Sequence, residues 1–191
     1  NNGVIKRSNI SDYLNKINQD DRKKLRKLGV KFGRYHIFLF KLFKPSSVSL
    51  RILLWKSYNN KFLNLSPPTF GLNFLDGMKS ANKDFMLLCG FEKFEDIYVR
   101  IDILERLFLL ILNSKKDDKE EIKVVPEMLN LLGCSKKNFK RLLKKMDYRI
   151  IEKENNIFIR YMPIKKKISE KNDKKDYSNN PFSILNELNL K

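Results

Sequence analysis

The sequence predicts a mainly α-helical chain with short β elements, an α+β fold, on three observations. Several segments repeat apolar residues at the three- and four-residue spacing of amphipathic helices. Shorter runs rich in β-branched and aromatic residues lie between them. Residues 164–180 are rich in lysine, aspartate, asparagine and serine, a composition typical of a flexible linker. We therefore expect a helical region, then a compact basic unit, then a flexible basic tail.

The sequence of the N-terminal part of the chain predicts two helices and one strand. Residues 1–19 are polar and predict a poorly ordered segment or a marginal helix. Two aspartates precede a helix over Arg22–Leu28, where the helix dipole favours acids at the start. Val30–Phe40 is rich in aromatic and β-branched residues and predicts a strand or extended segment, with Gly33 as a bulge or a point of close approach. Pro45–Tyr58 predicts a helix that partly buries four side chains, listed here in order: Val48, Ile52, Leu53 and Trp55.

Three further helices are predicted downstream. Asp102 caps an apolar helix that runs to about Leu112. Val124–Leu132 is a short helix with proline in its first turn, and Gly133 ends it as a residue with positive φ would. Ser135 caps the third helix, Lys136–Met146, whose apolar residues recur at i, i+3, i+4 and i+7.

A β-hairpin is predicted directly after these helices. Tyr148–Lys153 and Ile157–Met162 are β-prone runs joined by polar turn residues. Helix, tight turn, basic helix and hairpin is the order of a winged helix, in which the second helix commonly contacts nucleic acid. The predicted organisation has five parts: residues 1–19, a helical region at 20–97, a winged-helix-like unit at 98–163, a basic linker at 164–180 and a short amphipathic segment at 181–191.

Positive charge is concentrated at the two ends of the chain. The net charge is +18, and residues 1–45 carry 12 Lys and Arg against 3 Asp and Glu. Residues 46–121 are neutral, with 11 of each, whereas residues 122–191 carry 17 against 8. Basic patches confined to the two ends of the chain favour a polyanionic partner, single-stranded RNA or DNA. The candidate contacts are Arg34, Lys136, Lys137, Lys140, Arg141, Lys144, Lys145, Arg149 and Arg160. The alternative is that these cations only form a solvated surface.

Little in the sequence indicates catalysis. It contains no phosphate-binding loop, no dinucleotide-binding glycine motif and no zinc-protease motif. His36 is the one histidine, and its aromatic surroundings favour a packed, hydrogen-bonded role. Cys89 and Cys134 have no metal-ligand spacing and suit small buried side chains in a reducing compartment. No catalytic residue, metal or cofactor is therefore assigned to this chain, and a cytoplasmic location without a membrane partner is expected.

The closing residues form a separate candidate for docking. Pro181 stands at a helix-start position, and three apolar residues follow on one face: Phe182, Leu185 and Leu188. This segment is expected either to bind a partner or the same protein, or to be a fraying end.

Four blocks of the sequence carry a family resemblance: Leu25–Trp55, Tyr98–Leu107, Met128–Arg149 and Pro181–Lys191. Together, in this order, they resemble the C-terminal region of alphaproteobacterial ATP-dependent helicases, superfamily 2 enzymes related to the mitochondrial RNA-degradosome helicase. The resemblance implies an accessory region that packs on two RecA-like motor domains and helps to enclose single-stranded RNA. ATP and magnesium would belong to those motor domains, whose motifs this chain lacks. Two other functions stay open, a structural or partner-docking module and a free-standing winged-helix DNA-binding protein.

Overall fold

The structure, a computed structural model, describes residues 3–59, 64–78, 81–114, 121–153 and 156–162. Helices alternate with short antiparallel strands along these ranges, so the predicted α+β mixture is confirmed. The helices are α1 (Ser11–Lys16), α2 (Gln19–Lys27), α3 (Pro45–Tyr58), α4 (Lys83–Leu88), α5 (Ile101–Asn113), α6 (Pro126–Leu132) and α7 (Lys136–Lys145). The strands are β1 (Val4–Lys6), β2 (Val30–Phe32), β3 (His36–Leu39), β4 (Phe74–Leu75), β5 (Phe91–Phe94), β6 (Ile97–Arg100), β7 (Ile122–Lys123), β8 (Tyr148–Lys153) and β9 (Asn156–Tyr161).

The first sheet has the order β1-β3-β2, with both outer strands antiparallel to β3. The prediction of a single strand over Val30–Phe40 is wrong, because the chain reverses at residues 33–35 and forms a hairpin. Gly33 is nevertheless a point of close approach, since the carboxyl group of Glu105 occupies the space that a Cβ would need. Strand β1 and helix α1 also lie within residues 1–19, where a poorly ordered segment or marginal helix was predicted.

Strand β6 is the centre of the second sheet, whose order is β4-β6-β5. Successive side chains of a strand point to opposite faces. Ile97 and Val99 therefore pack into one apolar core with α5, α6 and α7, while Tyr98 packs into another with α3 and α4. The predicted boundary between residues 97 and 98 falls inside this strand, so both cores share it.

Helices α5, α6 and α7 enclose the first of these cores with the third sheet, whose order is β7-β9-β8. Phe139 and Ile159 are fully buried there. Gly133 ends α6 with φ of 65°, and the Ser135 side chain accepts the N–H of Asn138 at 3.3 Å. The predictions for Gly133 and Ser135 are therefore confirmed, and α7 ends one residue before the predicted end. The prediction that Asp102 caps α5 is wrong, because Arg100 precedes the helix and the Asp102 carboxylate forms an ion pair with it.

Helix α3 is apolar on more than one face. Val48 and Ile52 are buried and Trp55 is half-buried, as predicted. The prediction for Leu53 is wrong, because its side chain is 62% exposed. The i, i+3, i+4 spacing places three exposed leucines on one face: Leu50, Leu53 and Leu54.

No helix within the described ranges has the length and apolarity needed to cross a membrane. The predicted linker at 164–180 and the segment at 181–191 lie outside the described residues.

Candidate nucleic-acid interface

Helix α7 has one apolar and one basic face. Its apolar face is fully buried through Phe139, Leu142 and Leu143. The lysines on its outer surface divide into two groups according to their partners. Three are exposed without an ion pair to the described part of the chain: Lys136, Lys137 and Lys144. The packing of the apolar face fixes the direction in which these lysines project.

Arg141 binds two carboxylates from the second sheet region. Its Nη1 donates to both oxygens of Asp76 at 3.0 and 2.9 Å, and its Nη2 donates to Asp96 at 2.6 Å. The hydrogen bond with Asp76 contributes most to raising the pKa of Arg141. Arg141 therefore connects α7 to the rest of the protein and offers less of its charge to a ligand than the sequence suggested.

Two more lysines of α7 have carboxylate partners. The Nζ of Lys140 lies 2.7 Å from the Oε1 of Glu152 on β8, and Lys145 pairs with Glu95 in the turn between β5 and β6. The helix itself contains no acid, so the sequence predicted six cations with nothing to neutralise them. The acids come from distant positions in the chain, and half of the predicted basic surface is partly neutralised.

Strands β8 and β9 bring two predicted arginines together. Arg149 lies directly opposite Arg160 in the antiparallel register, so their side chains lie on the same face of the hairpin. Arg149 is exposed and Arg160 is half-buried. Like charges placed directly opposite each other on a sheet are unfavourable.

Tyr161 has the one exposed ring among the three aromatic residues in the described part of this hairpin. It is 43% exposed, whereas Tyr148 is buried and Phe158 is half-buried. The centroids of the Tyr148 and Tyr161 rings are 5.3 Å apart. Burial raises the pKa of Tyr148 to about 12. Tyr148 therefore packs against the Tyr161 ring and is too buried to contact a ligand itself.

A cleft of about 490 Å³ lies beside Tyr161. Arg34, in the turn between β2 and β3, lines the same cleft although it belongs to the other basic end of the chain. The remaining cations of the lining are Lys6, Arg7 and Lys145. Its apolar wall comprises Tyr35, Phe94, Leu104, Phe108 and Met146. The cleft combines positive charge with aromatic surface, which is the combination that binds single-stranded nucleic acid.

Glu105 of α5 holds the turn that carries Arg34. Its carboxylate accepts the backbone N–H groups of Arg34 at 2.6 Å, Tyr35 at 3.1 Å and His36 at 2.8 Å. The absence of a Cβ on Gly33 lets the carboxylate come this close. Sequence reasoning missed Glu105, because nothing marks one glutamate of an apolar helix as the partner of a turn about 70 residues away.

His36 lies between two carboxylates below the cleft. Its Nδ1 is 3.1 Å from Glu105 and its Nε2 is 3.3 Å from Glu92, which also accepts from Lys6 at 2.6 Å. Burial alone would lower the pKa of His36, but the hydrogen bonds to Glu105 and Glu92 outweigh burial and raise it. Burial would likewise raise the pKa of Glu92, but His36 and Lys6 lower it. The predicted buried, hydrogen-bonded histidine is confirmed, and it joins the first sheet to β5 and α5.

This cluster predicts how protein stability depends on pH. Because folding raises the pKa of His36, its contribution is complete below the ordinary value of 6.5 and is lost as the pH rises through the folded value. Because folding lowers the pKa of Glu92, its contribution is present above 4.5 and is lost as the pH falls. Urea unfolding at several pH values should therefore give a free energy of unfolding that declines as the pH rises above 6.5.

The matched variant for this pH series is His36→Gln. It should lack the alkaline decline, because its amide does not titrate. Burial raises the pKa of Cys89 to about 12 and of Cys134 to about 11 from an ordinary value of 9.0, so the thiols affect stability only where they ionise in the unfolded chain, above the range of His36. An identical decline in the variant and the wild type would assign the effect to another group.

The described residues contain no group of three or more His, Cys, Asp and Glu side chains arranged to hold a metal ion. The sequence also has no phosphate-binding loop.

Comparison with known proteins adds no relative. No family model, no curated protein and no solved structure matches this chain. This candidate interface is therefore inferred from geometry alone. Of the nine predicted contacts, Arg34 and Lys145 line the cleft, and Lys136, Lys137 and Lys144 lie on the outer face of α7. Lys140 and Arg141 are in ion pairs, and Arg149 and Arg160 lie on the hairpin. The predicted docking residues Phe182, Leu185 and Leu188 lie outside the described residues.

Proposed function

We propose that this chain is an accessory nucleic-acid-binding region of a superfamily 2 ATP-dependent RNA helicase, one that binds single-stranded RNA and packs on the motor domains. The observation that carries the proposal is the outer face of α7. Lys136, Lys137 and Lys144 are exposed there, while the opposite face of the helix is fully buried. The buried face holds helix α7 in place, and its exposed lysines can contact the phosphate groups of a nucleic-acid backbone.

The order of elements supports interpreting this part of the chain as a winged helix. Helix α5, strand β7, helices α6 and α7, and the β8–β9 hairpin follow one another, and β7 pairs with β9. In a winged helix the second helix of the turn commonly contacts nucleic acid, and the hairpin lies beside it. Helix α7 and the arginines of the hairpin are the corresponding parts here.

The strength of this interaction should depend steeply on salt. Four cations project from α7 and the hairpin without an ion pair to the described residues: Lys136, Lys137, Lys144 and Arg149. If about four phosphates of a single strand are neutralised, log K should fall against log salt with a slope of about −2.8. A titration with fluorescent oligouridylate, single-stranded DNA and duplex DNA at several salt concentrations measures this slope. Micromolar binding to single strands with such a slope would support the proposal.

Charge reversal on α7 tests the assignment directly. Lys136→Glu combined with Lys137→Glu should weaken binding of oligouridylate about tenfold or more, because two phosphate contacts are lost and two anions are added. The melting temperature should change little, since both side chains are exposed. The control is Lys23→Glu with Lys27→Glu on α2, which makes the same charge change on another exposed helix. Equal weakening by both pairs would mean that net charge, and not α7, governs binding.

A partner-docking module is the second candidate function. The exposed leucines of α3, Leu50, Leu53 and Leu54, are the observation that favours it. A folded chain that binds no nucleic acid at low salt would leave docking as the better account. A preferred duplex sequence would instead indicate a free-standing DNA-binding regulator.

A further inference from the structure

We propose that the cleft between Arg34 and Tyr161 binds one nucleotide of the single strand, with the base against Tyr161 and the phosphate against Arg7 and Arg34. This inference rests on the proposed function, since it names the subsite at which a bound strand is recognised. It assigns the tightest contact to the cleft and leaves α7 a supporting electrostatic role.

The charges of the cleft indicate an anionic ligand. Lys6 is paired with Glu92, and Lys145 is paired with a glutamate outside the cleft. Arg7 donates to the carbonyl oxygen of Gly33 at 3.2 Å, and the guanidinium group of Arg34 lies over the Tyr35 ring, 5.8 Å from its centroid. Neither guanidinium group has a carboxylate partner among the described residues. Asp147 also lines the cleft but forms no ion pair with either arginine, so both guanidinium groups can bind a phosphate.

The walls of the cleft indicate that the anion carries a planar ring. Tyr35 packs against Phe108 with ring centroids 4.1 Å apart, so that wall is already filled. Tyr161 is 43% exposed, and the ring of Tyr148 packs beside it. An inorganic phosphate would leave this aromatic surface uncovered. A purely apolar ligand would leave the guanidinium groups without a partner. A nucleotide has a base that can cover the aromatic surface and a phosphate that can pair with the guanidinium groups.

The size and rigidity of the cleft agree with a specific site. Its volume of about 490 Å³ falls within the range of roughly 300–1,000 Å³ that is usual for small-ligand pockets. The turn that carries Arg34 is fixed through three backbone N–H groups by Glu105. A site that is ordered before binding loses less conformational entropy when the ligand arrives.

The test compares oligouridylate binding by two cleft variants and two matched controls in the full chain. Arg34→Gln removes one of the two guanidinium groups that contact the phosphate, and Tyr161→Ala removes the stacking ring, so each should weaken binding about tenfold. Arg34→Gln should also reduce the salt slope by about 0.7, whereas Tyr161→Ala should leave the slope unchanged. The controls are Arg106→Gln on α5 and Tyr58→Ala on α3, both exposed and both outside the cleft. They should bind like the wild type.

Two further measurements complete the test. Tyr161→Phe retains the ring and should bind nearly as tightly as the wild type, which separates stacking from any effect on folding. Millimolar uridine monophosphate should displace the oligonucleotide, while inorganic phosphate at equal ionic strength should not. Displacement by phosphate alone would overturn the assignment of a base to the cleft.

The outcomes separate this inference from the function on which it rests. Wild-type affinity in Arg34→Gln and Tyr161→Ala, together with weak binding in the Lys136→Glu and Lys137→Glu variant, would overturn the cleft and leave the proposed function standing. No binding of single strands by the folded wild type would overturn both.

Discussion

Replacing Glu105 with alanine is expected to lower the free energy of unfolding by about 3–5 kcal/mol. The carboxylate is 8% exposed and accepts three backbone N–H groups as well as the Nδ1 of His36. Its removal leaves those donors without a partner in a buried place, and an unsatisfied buried donor costs roughly 1–3 kcal/mol. Urea unfolding of the wild type and the variant measures the difference.

The control for this change is Glu127→Ala. Glu127 is exposed in the first turn of α6, so its loss should cost no more than about 1 kcal/mol. Glu105→Gln should fall between the two, because an amide retains the shape of the side chain and one acceptor oxygen. An unfolding midpoint of Glu105→Ala equal to that of the wild type would mean that the turn is held by other contacts.

Replacing Phe139 with alanine should be as damaging, at about 3–5 kcal/mol. Phe139 is fully buried where α5, α6 and the third sheet meet, so the truncation leaves a cavity that the surrounding helices can fill only in part. Thermal and urea unfolding should both show the loss. Binding measured below the unfolding transition should change little, because α7 keeps its lysines on the outer face.

Phe70→Ala provides the comparison for Phe139→Ala. Its side chain is 48% exposed, so the same chemical change should have a much smaller effect. Equal destabilisation by the two substitutions would contradict the position of α7 against the core. A large loss of binding in Phe139→Ala, with unchanged stability, would contradict it as well.

Local signals made the C-terminal unit predictable. Gly133 and Ser135 are residues whose own chemistry ends one helix and starts the next, and the apolar spacing of α7 assigns its buried face. The hairpin was predictable in the same way, from two β-prone runs close together in the chain. These features depend on residues within a few positions of one another.

The cleft and the ion pairs of α7 were not predictable, because they depend on distant partners. Arg141 meets Asp76 and Asp96, which lie in loops of another sheet. The turn at residues 33–35 was interpreted as part of one strand, since its cause is Glu105 on a helix far along the chain. No local pattern specifies which acid will meet which cation.

The separation between Glu105 and its turn also affects what a fragment of the chain can form. The hydrogen bond from the N–H of Arg34 to Glu105 joins residues 71 positions apart, so the turn and its partner come from opposite halves of the protein. A fragment that begins after the first sheet would still contain α7 and the hairpin, but it would have half a cleft. Comparing such a fragment with the full chain would therefore distinguish general attraction to a polyanion from recognition of a nucleotide.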